Sequence, residues 1–499
     1  MSTSGQTIAK NTGILLVSQV ITWALTLLMT VFLPRYLGAG IVGKLHLANS
    51  IWAIVSMLAG FGMDTLMTKE IARAPQRLSE LLGTNLILRS LLYVLGAVVT
   101  AAYVHFAGYP ADTISIIAIT GLAMLVFGAI SGAEASLMGL EKADVLSVGK
   151  VAGKLILTVL TLGALFLDMG VLVIASVALV SASLQLFYLL STIHKIQPFR
   201  LQINWRLGIW MLQAGFPYLL VGGLVVIYQQ VDVILLSLLA NESSIGWYGT
   251  AEQLFGTLLF IPTAFITAVF PVLSRLFTSD PQALVKIAQK SASFLLLLSM
   301  PIGLGMIAIA EPFVVLLFGP EFAPTGQVLM VLGIVLVFTY QNTLISYYLI
   351  STDRQQQWVW VMAVATLVTI PLDLFLIPWC QAVFNNGAIG GAAAFFITEL
   401  GMMLYGLKLV GNEGINLRSA WQALRIFLAG AGMFAVTWLF RQHFILIPII
   451  VGAVSYISLI LLLRVIPADD FALLKGLVQE AVQRIFSRKI QPAGAGEKG

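Results

Sequence analysis

The chain has 499 residues, of which 59% are hydrophobic and only 10% charged, with a net charge of +5 and a mean hydropathy of +0.97. A water-soluble enzyme carries about a quarter charged residues, so this composition excludes one and places the chain in a bilayer. The single Cys380 excludes an intrachain disulfide framework and a thiolate-rich metal centre, and four His spread from His46 to His443 form no ligand spacing, so neither metal nor cofactor is expected.

A helix needs roughly 20 apolar residues to cross a hydrocarbon layer of about 30 Å. Only Lys10 precedes the first apolar run, and no small-residue cleavage pattern follows it, so this run reads as a retained first helix. Breaking the sequence at charges, Gly and Pro gives an all-α polytopic membrane protein of about fourteen transmembrane helices. They are expected near 12–33, 42–63, 82–107, 113–135, 146–166, 170–193, 209–238, 247–270, 291–318, 326–350, 358–379, 388–410, 422–440 and 444–463.

Lys and Arg collect in cytoplasmic loops. With the N-terminus inside, nearly all of the 27 Lys and Arg fall on the cytoplasmic side. Arg35, Lys44 and Arg441 lie outside, and Arg89 lies within the third helix near its inner end. This asymmetry places both termini in the cytoplasm and the chain in the cytoplasmic membrane. After the last helix, Pro467-Ala468-Asp469-Asp470 reads as a helix start, followed by Phe471, Leu474, Val478, Ala481 and Ile485 at helical spacing. With Lys475, Arg484, Arg488 and Lys489 alongside, the segment reads as an amphipathic helix on the anionic inner leaflet or as a solvated basic tail.

An internal repeat appears when the chain is shifted by a little over two hundred residues. Leu37-Gly38-Ala39-Gly40-Ile41-Val42-Gly43-Lys44 then lies over Ala240-Asn241-Glu242-Ser243-Ser244-Ile245-Gly246-Trp247, with Ala48 and Ala251 following at matched positions. Ala74-Pro75-Gln76-Arg77-Leu78 likewise matches Asp280-Pro281-Gln282-Ala283-Leu284. The expected organisation is a first lobe of six helices over 1–203, a second over 204–411, and two further helices with the tail over 412–499. Parallel repeats place a substrate route between the halves. Pro217, Pro262, Pro301 and Pro371 fall inside expected helices of the second half, whereas Pro34, Pro75 and Pro110 fall in expected loops. A Pro within a helix frees a carbonyl and bends it, which makes the second half the more flexible or simply the more kinked.

Gly38, Gly40 and Gly43 spell GxGxxG, and Gly38 to Lys44 spells GxxxxGK, but no strand precedes them and no Ser or Thr follows Lys44. Nucleotide hydrolysis by that route is excluded. No Ser, His and acid combination is placed for catalysis, and no nucleic-acid partner is expected. The informative residues are polar groups at membrane depth, where an ionisable side chain is costly. Asp232 shares a helical face with Tyr218, Gly222, Val225 and Gln229. Its charge requires water, a cation or a basic partner, which makes it a proton or cation site, a gate, or a member of an interhelical hydrogen bond. Glu252 and Gln253 match Asn49 and Ser50 in the repeat, and Ser18, Thr22 and Thr26 form a polar stripe leading by the same shift toward Gln229. These residues line one polar lumen or serve as ordinary packing. Arg35 and Lys44 flank one turn and are candidates for holding a phosphate, as are Arg89, Lys150 and Lys154 from the other side. The alternative for each is snorkelling to the interface.

Several segments bear a family likeness. Asn11-Thr12-Gly13, Pro34-Arg35-Tyr36-Leu37-Gly38 and Lys69-Glu70-Ile71-Ala72-Arg73 resemble the polysaccharide transporter family of O-antigen and teichoic-acid flippases. So do Gln229-Gln230-Val231-Asp232-Val233-Ile234-Leu235-Leu236 and Ile245-Gly246-Trp247-Tyr248-Gly249-Thr250-Ala251. The resemblance implies the fold of the multidrug, oligosaccharidyl-lipid and polysaccharide exporter superfamily, two six-helix lobes in a V around a central cavity. It implies alternating access that moves a polyprenyl-diphosphate-linked oligosaccharide to the outer leaflet, through a polar and cationic lumen. The implied coupling ion is H+ or Na+, with Asp232 and Glu252 as candidate sites. A multidrug or cation antiporter of the same superfamily is the first alternative, normally with about twelve spans and a more acidic cavity. A membrane glycan polymerase is the second, but no long outer loop exists to carry its catalytic residues.

Overall fold

The structure is a computed structural model that describes residues 2–411 and 417–465. Helices account for all of its regular structure: α1 Ser2–Gly60, α2 Met63–Arg73, α3 Leu78–Ala107, α4 Ala111–Gly139, α5 Ala143–Phe166, α6 Val171–Ile196, α7 Trp205–Leu239, α8 Glu242–Leu258, α9 Phe260–Ser279, α10 Pro281–Phe318, α11 Ala323–Ser351, α12 Gln355–Phe384, α13 Ala388–Val410, α14 Leu417–Leu439 and α15 Leu446–Leu462, with short 3₁₀ turns at Pro75–Arg77 and Pro320–Phe322. Among the described residues, 12 helical stretches are long and apolar enough to cross a membrane, and Leu446–Leu462 is a shorter apolar helix. The segment expected to be amphipathic, Pro467 to Ile485, lies outside the described residues.

The first of those stretches, Gly13–Gly60, covers two of the expected spans. A straight helix of that length would extend about 70 Å, more than twice the hydrocarbon thickness. The chain reverses instead at Gly38, whose φ of 76° and ψ of 166° lie outside the helical region and suit only a residue without Cβ. Leu15 near the start and Phe61 just past the end accordingly pack into one cluster with Met63, Met67 and Leu81. The joining segment expected over Leu37 to Lys44 is thus a one-residue break, and Pro34 sits inside helix rather than in a loop.

Other boundaries move for similar local reasons. The eighth helix starts at Glu242 because the Asn241 side chain accepts from the Ser244 amide at 2.8 Å, a standard N-cap. Asp280 caps Ala283 at 3.0 Å and puts Pro281 in the first turn of α10. Pro262 falls in the opening turn of α9, next to the α8–α9 break, and the Pro within that helix is Pro271. Lys69 to Arg73 belongs to α2, which buries Met63, Leu66, Met67 and Ile71 on one face and is too short and charged to cross a bilayer.

Where lipid already solvates apolar side chains, close backbone approach rather than the hydrophobic effect joins helices. In the second half α11 is the central helix: Leu329, Leu332, Leu336, Tyr340 and Leu344 are all buried, and the Tyr340 hydroxyl donates to the Leu258 carbonyl at 2.7 Å. It crosses α10 at Gly303 and Gly333, where a Cβ on either would lie within 3 Å of the other's carbonyl oxygen. α14 and α15 are added outside α10, with Tyr456 donating to the Leu297 carbonyl at 2.9 Å.

Candidate functional site

α1 after Gly38 faces the second half of the chain across a cavity of about 680 Å³. Its wall includes His46 and Asn49 of α1, Gln229 and Asp232 of α7, Glu252 and Gln253 of α8, Asn342 of α11 and Glu399 of α13. Asn49, Gln229, Asp232, Glu252 and Gln253, far apart in sequence and all expected at a lumen, therefore meet here. Ser18, Thr22 and Thr26 do not line this cavity: their hydroxyls donate back to the carbonyls of Leu15, Gln19 and Thr22 at 2.8–3.0 Å within their own helix. Of the face predicted on α7, Val225, Gln229 and Asp232 look into this cavity, whereas Tyr218 and Gly222 look into a second one.

Asp232 is 3% exposed, and its Oδ2 accepts from the Tyr248 hydroxyl at 2.7 Å. Beside it, within hydrogen-bonding reach, lies Asp373 of α12, fully buried, and among the described residues neither Asp373 oxygen nor Asp232 Oδ1 has a donor other than the facing carboxyl. Two adjacent carboxyls in a low-dielectric interior repel when both are charged, so the pair is suited to holding a proton or a cation. Glu399 is satisfied differently, accepting from Tyr228 at 3.0 Å, Thr339 at 2.9 Å and Asn342 at 2.9 Å. Glu252 meets His46 across the two halves, with Oε2 and Nε2 at 3.0 Å. Asp373, Glu399 and His46 escape the sequence reading. Asp373 and Glu399 are acids inside expected spans and meet the criterion that singles out Asp232, while His46 becomes informative only once α1 and α8 are side by side.

The expected cationic lumen is not what surrounds this cavity: among the described residues its wall holds three acids and no Lys or Arg. The basic candidates lie elsewhere. Arg35 is exposed and donates to the Leu316 carbonyl at 3.4 Å. Lys44, 14% exposed, sits between Asp112 and Glu242, the latter at 3.1 Å, so acids already occupy it. Arg89, 5% exposed, reaches Asp64 at 2.6 Å and the Gly128 carbonyl at 2.7 Å. Lys150 pairs with Glu134 at 3.1 Å, while half-buried Lys154 has no hydrogen-bond or ion-pair partner among the described residues.

The Gly38 end of the cavity is shut. Here the Ala39 amide donates to Glu321 Oε1 at 2.8 Å, the Trp247 indole donates to the Glu321 carbonyl at 3.1 Å, and α1 and α8 touch backbone to backbone at Gly43 and Gly246. Lys44 bridges the start of α4 to the start of α8 at the same level.

The profile of the family described as "Polysaccharide biosynthesis protein" matches residues 8–277. No curated protein sequence matches the chain. Among solved structures, "Lipid II flippase MurJ, inward closed conformation" is similar at a TM-score of 0.74 and 16% identity, covering 90% of this chain and 98% of that one. An inward-facing multidrug resistance MATE family transporter of the MOP superfamily is similar at 0.60 and 14%, covering 80% and 98%. A MOP superfamily transporter from Pyrococcus furiosus, whose binding pocket is described as having reverse polarity, is similar at 0.55 and 13%, covering 82% and 96%. These likenesses fix the fold. The chain is a multi-pass membrane protein with a MOP-type transporter fold and belongs to the polysaccharide biosynthesis protein family.

Proposed function

We propose that the protein is a flippase that moves a polyprenyl-diphosphate-linked oligosaccharide across the cytoplasmic membrane for cell-surface polysaccharide assembly. It works by alternating access coupled to H+ or Na+, with both termini in the cytoplasm, and makes or breaks no covalent bond. The observation that supports this most is a polar cavity between α1 and the second half, shut at the Gly38 end. A hydrated glycan needs such a polar interior, whereas its polyprenyl tail remains in lipid. Lys154, with Lys150 one turn before it in α5, supplies positive charge for the diphosphate on entry. Arg35 and a Lys44 released from its acids supply it on exit. Asp232, next to Asp373, and Glu252, next to His46, are the places for the coupling ion.

The acidic wall favours a second reading, export of an organic cation, because Asp232, Glu252 and Glu399 would attract one. Proteoliposomes decide between them. Movement of a fluorescent polyprenyl-diphosphate glycan driven by an imposed ion gradient supports the flippase, and gradient-driven uptake of a cationic dye with a stationary glycan lipid replaces it with the antiporter.

A further inference from the structure

A second cavity of about 350 Å³ lies between the first half and the early turns of α7, apart from the acidic one. Its polar wall includes Ser56 of α1, Asp64 of α2, Arg89 of α3 and Ser131 of α4, with the Phe127 and Tyr218 rings beside them. Asp64 accepts from Arg89 on Oδ1 and from Ser131 on Oδ2, each at 2.6 Å. Only part of the capacity of each charged group is used. Asp64 is 42% exposed and a carboxylate has about four acceptor sites. Arg89 Nε is buried without a partner. Arg89 is buried, whereas the Asp64 carboxylate that it holds stays open to the cavity, so the pair presents a fixed acceptor to a ligand.

The charge balance selects the ligand class. Among the described residues, Asp64 and Arg89 are the only charged ones on this wall, and they cancel. A phosphate approaching Arg89 would meet Asp64 against it, and a cation approaching Asp64 would meet Arg89. A neutral polyhydroxyl ring meets neither objection: each hydroxyl donates to the carboxylate or accepts from the guanidinium, and its C–H face lies on an aromatic ring. The volume is near the small end of the about 300–1,000 Å³ of small-ligand pockets, enough for a small ligand and not for a whole glycan.

We propose that the cavity lined by Asp64, Arg89, Ser131, Phe127 and Tyr218 seats one neutral pyranose ring of the transported glycan. This deepens the flippase reading and rests on it for the source of the sugar. Gly222 provides a clean test, because it lines the cavity and a Cβ there would have no atom within 4 Å. Gly222→Ala leaves the space open, and Gly222→Phe fills it without touching the ion pair.

The full chain is placed in lipid nanodiscs, free of glycoside detergent, and probed by saturation-transfer NMR. The probes are neutral hexoses, 6-deoxyhexoses and N-acetylhexosamines, with glucuronate and inorganic diphosphate as charged comparators. At least one neutral pyranose binds saturably to the wild type and to Gly222→Ala, and its affinity falls at least about tenfold in Gly222→Phe and in Asp64→Asn. Diphosphate does not displace it. Lack of binding by every neutral pyranose, undiminished binding by a folded Gly222→Phe, or displacement by diphosphate each overturns the proposal. A parallel flipping assay separates the two readings. Pyranose binding that Gly222→Phe abolishes in a protein that moves no glycan lipid keeps the site and removes the flippase. Glycan-lipid movement without any pyranose binding does the reverse.

Discussion

Gly43 and Gly246 lie against each other's helix at the shut end of the cavity. A Cβ on Gly43 would stand 2.3 Å from the Glu242 carbonyl oxygen, and one on Gly246 would stand 2.0 Å from the Ala39 carbonyl oxygen. The shift that carries Gly43 onto Gly246 also carries Ala39 onto Glu242 and His46 onto Gly249, whose missing Cβ leaves room for the His46 ring. The contact is thus near-symmetric, each half offering the same small surface to the other.

Gly246→Ala introduces a methyl group where backbone now stands and separates α1 from α8. Overpacking of this kind costs about 1–3 kcal/mol, roughly a five- to hundred-fold shift away from the shut arrangement. A cysteine at Asn49 should then react faster with a membrane-impermeant maleimide added from the Gly38 side. An unchanged labelling rate in a folded Gly246→Ala protein would show that the contact does not hold this end shut.

Asp232→Asn preserves an acceptor for Tyr248 but removes one charge of the carboxyl pair. Transport should fall at least about tenfold with normal expression, and Asp373→Asn should behave alike. Because the two groups adjoin, the double variant should lose little more than either single one. Glycan-lipid flipping measured across this cycle checks the expectation, and additive losses would separate the residues.

Glu399→Ala removes the carboxyl that joins Tyr228, Thr339 and Asn342, leaving them only Thr398, the Val335 carbonyl and the residue 399 carbonyl. Each lost hydrogen bond costs about 0.5–1.5 kcal/mol, so the melting temperature in detergent should drop. Glu399→Gln keeps one of the two acceptor oxygens and should recover part of that loss. Equal melting temperatures for the two variants would count against a structural role.

Lys44→Gln leaves Asp112 and Glu242 facing each other without their cation. Both acids are well exposed, so water screens their attraction to Lys44 and the contact holds the helices only weakly. The variant should therefore change maleimide access less than Gly246→Ala does, and high salt should weaken the wild type toward it. A Lys44→Gln effect exceeding that of Gly246→Ala would make charge, not steric fit, the main closure.

The helical crossings were legible because long apolar runs broken by charge admit few other structures. Asn49, Gln229, Asp232, Glu252 and Gln253 were legible as a group because polar residues seldom occur at that depth without a common cause. Gly38 was visible only as part of a loop, since a reversal at one residue depends on φ and ψ and not on composition. The partners of the basic residues were not legible: the orientation rule counts Lys and Arg without asking which acid stands beside them, and Lys44, Arg89 and Lys150 each have one. Asp373 gained meaning only through Asp232, a neighbour supplied by another helix.

α7 turns Tyr218 and Gly222 toward one cavity and Val225, Gln229 and Asp232 toward the other, with Pro217 near the junction. One rod therefore serves as a party wall between two rooms. A guest that pushes on it from the proposed sugar side alters the shape offered to the acidic side, so occupancy can be communicated through a single lever without any relay of side chains.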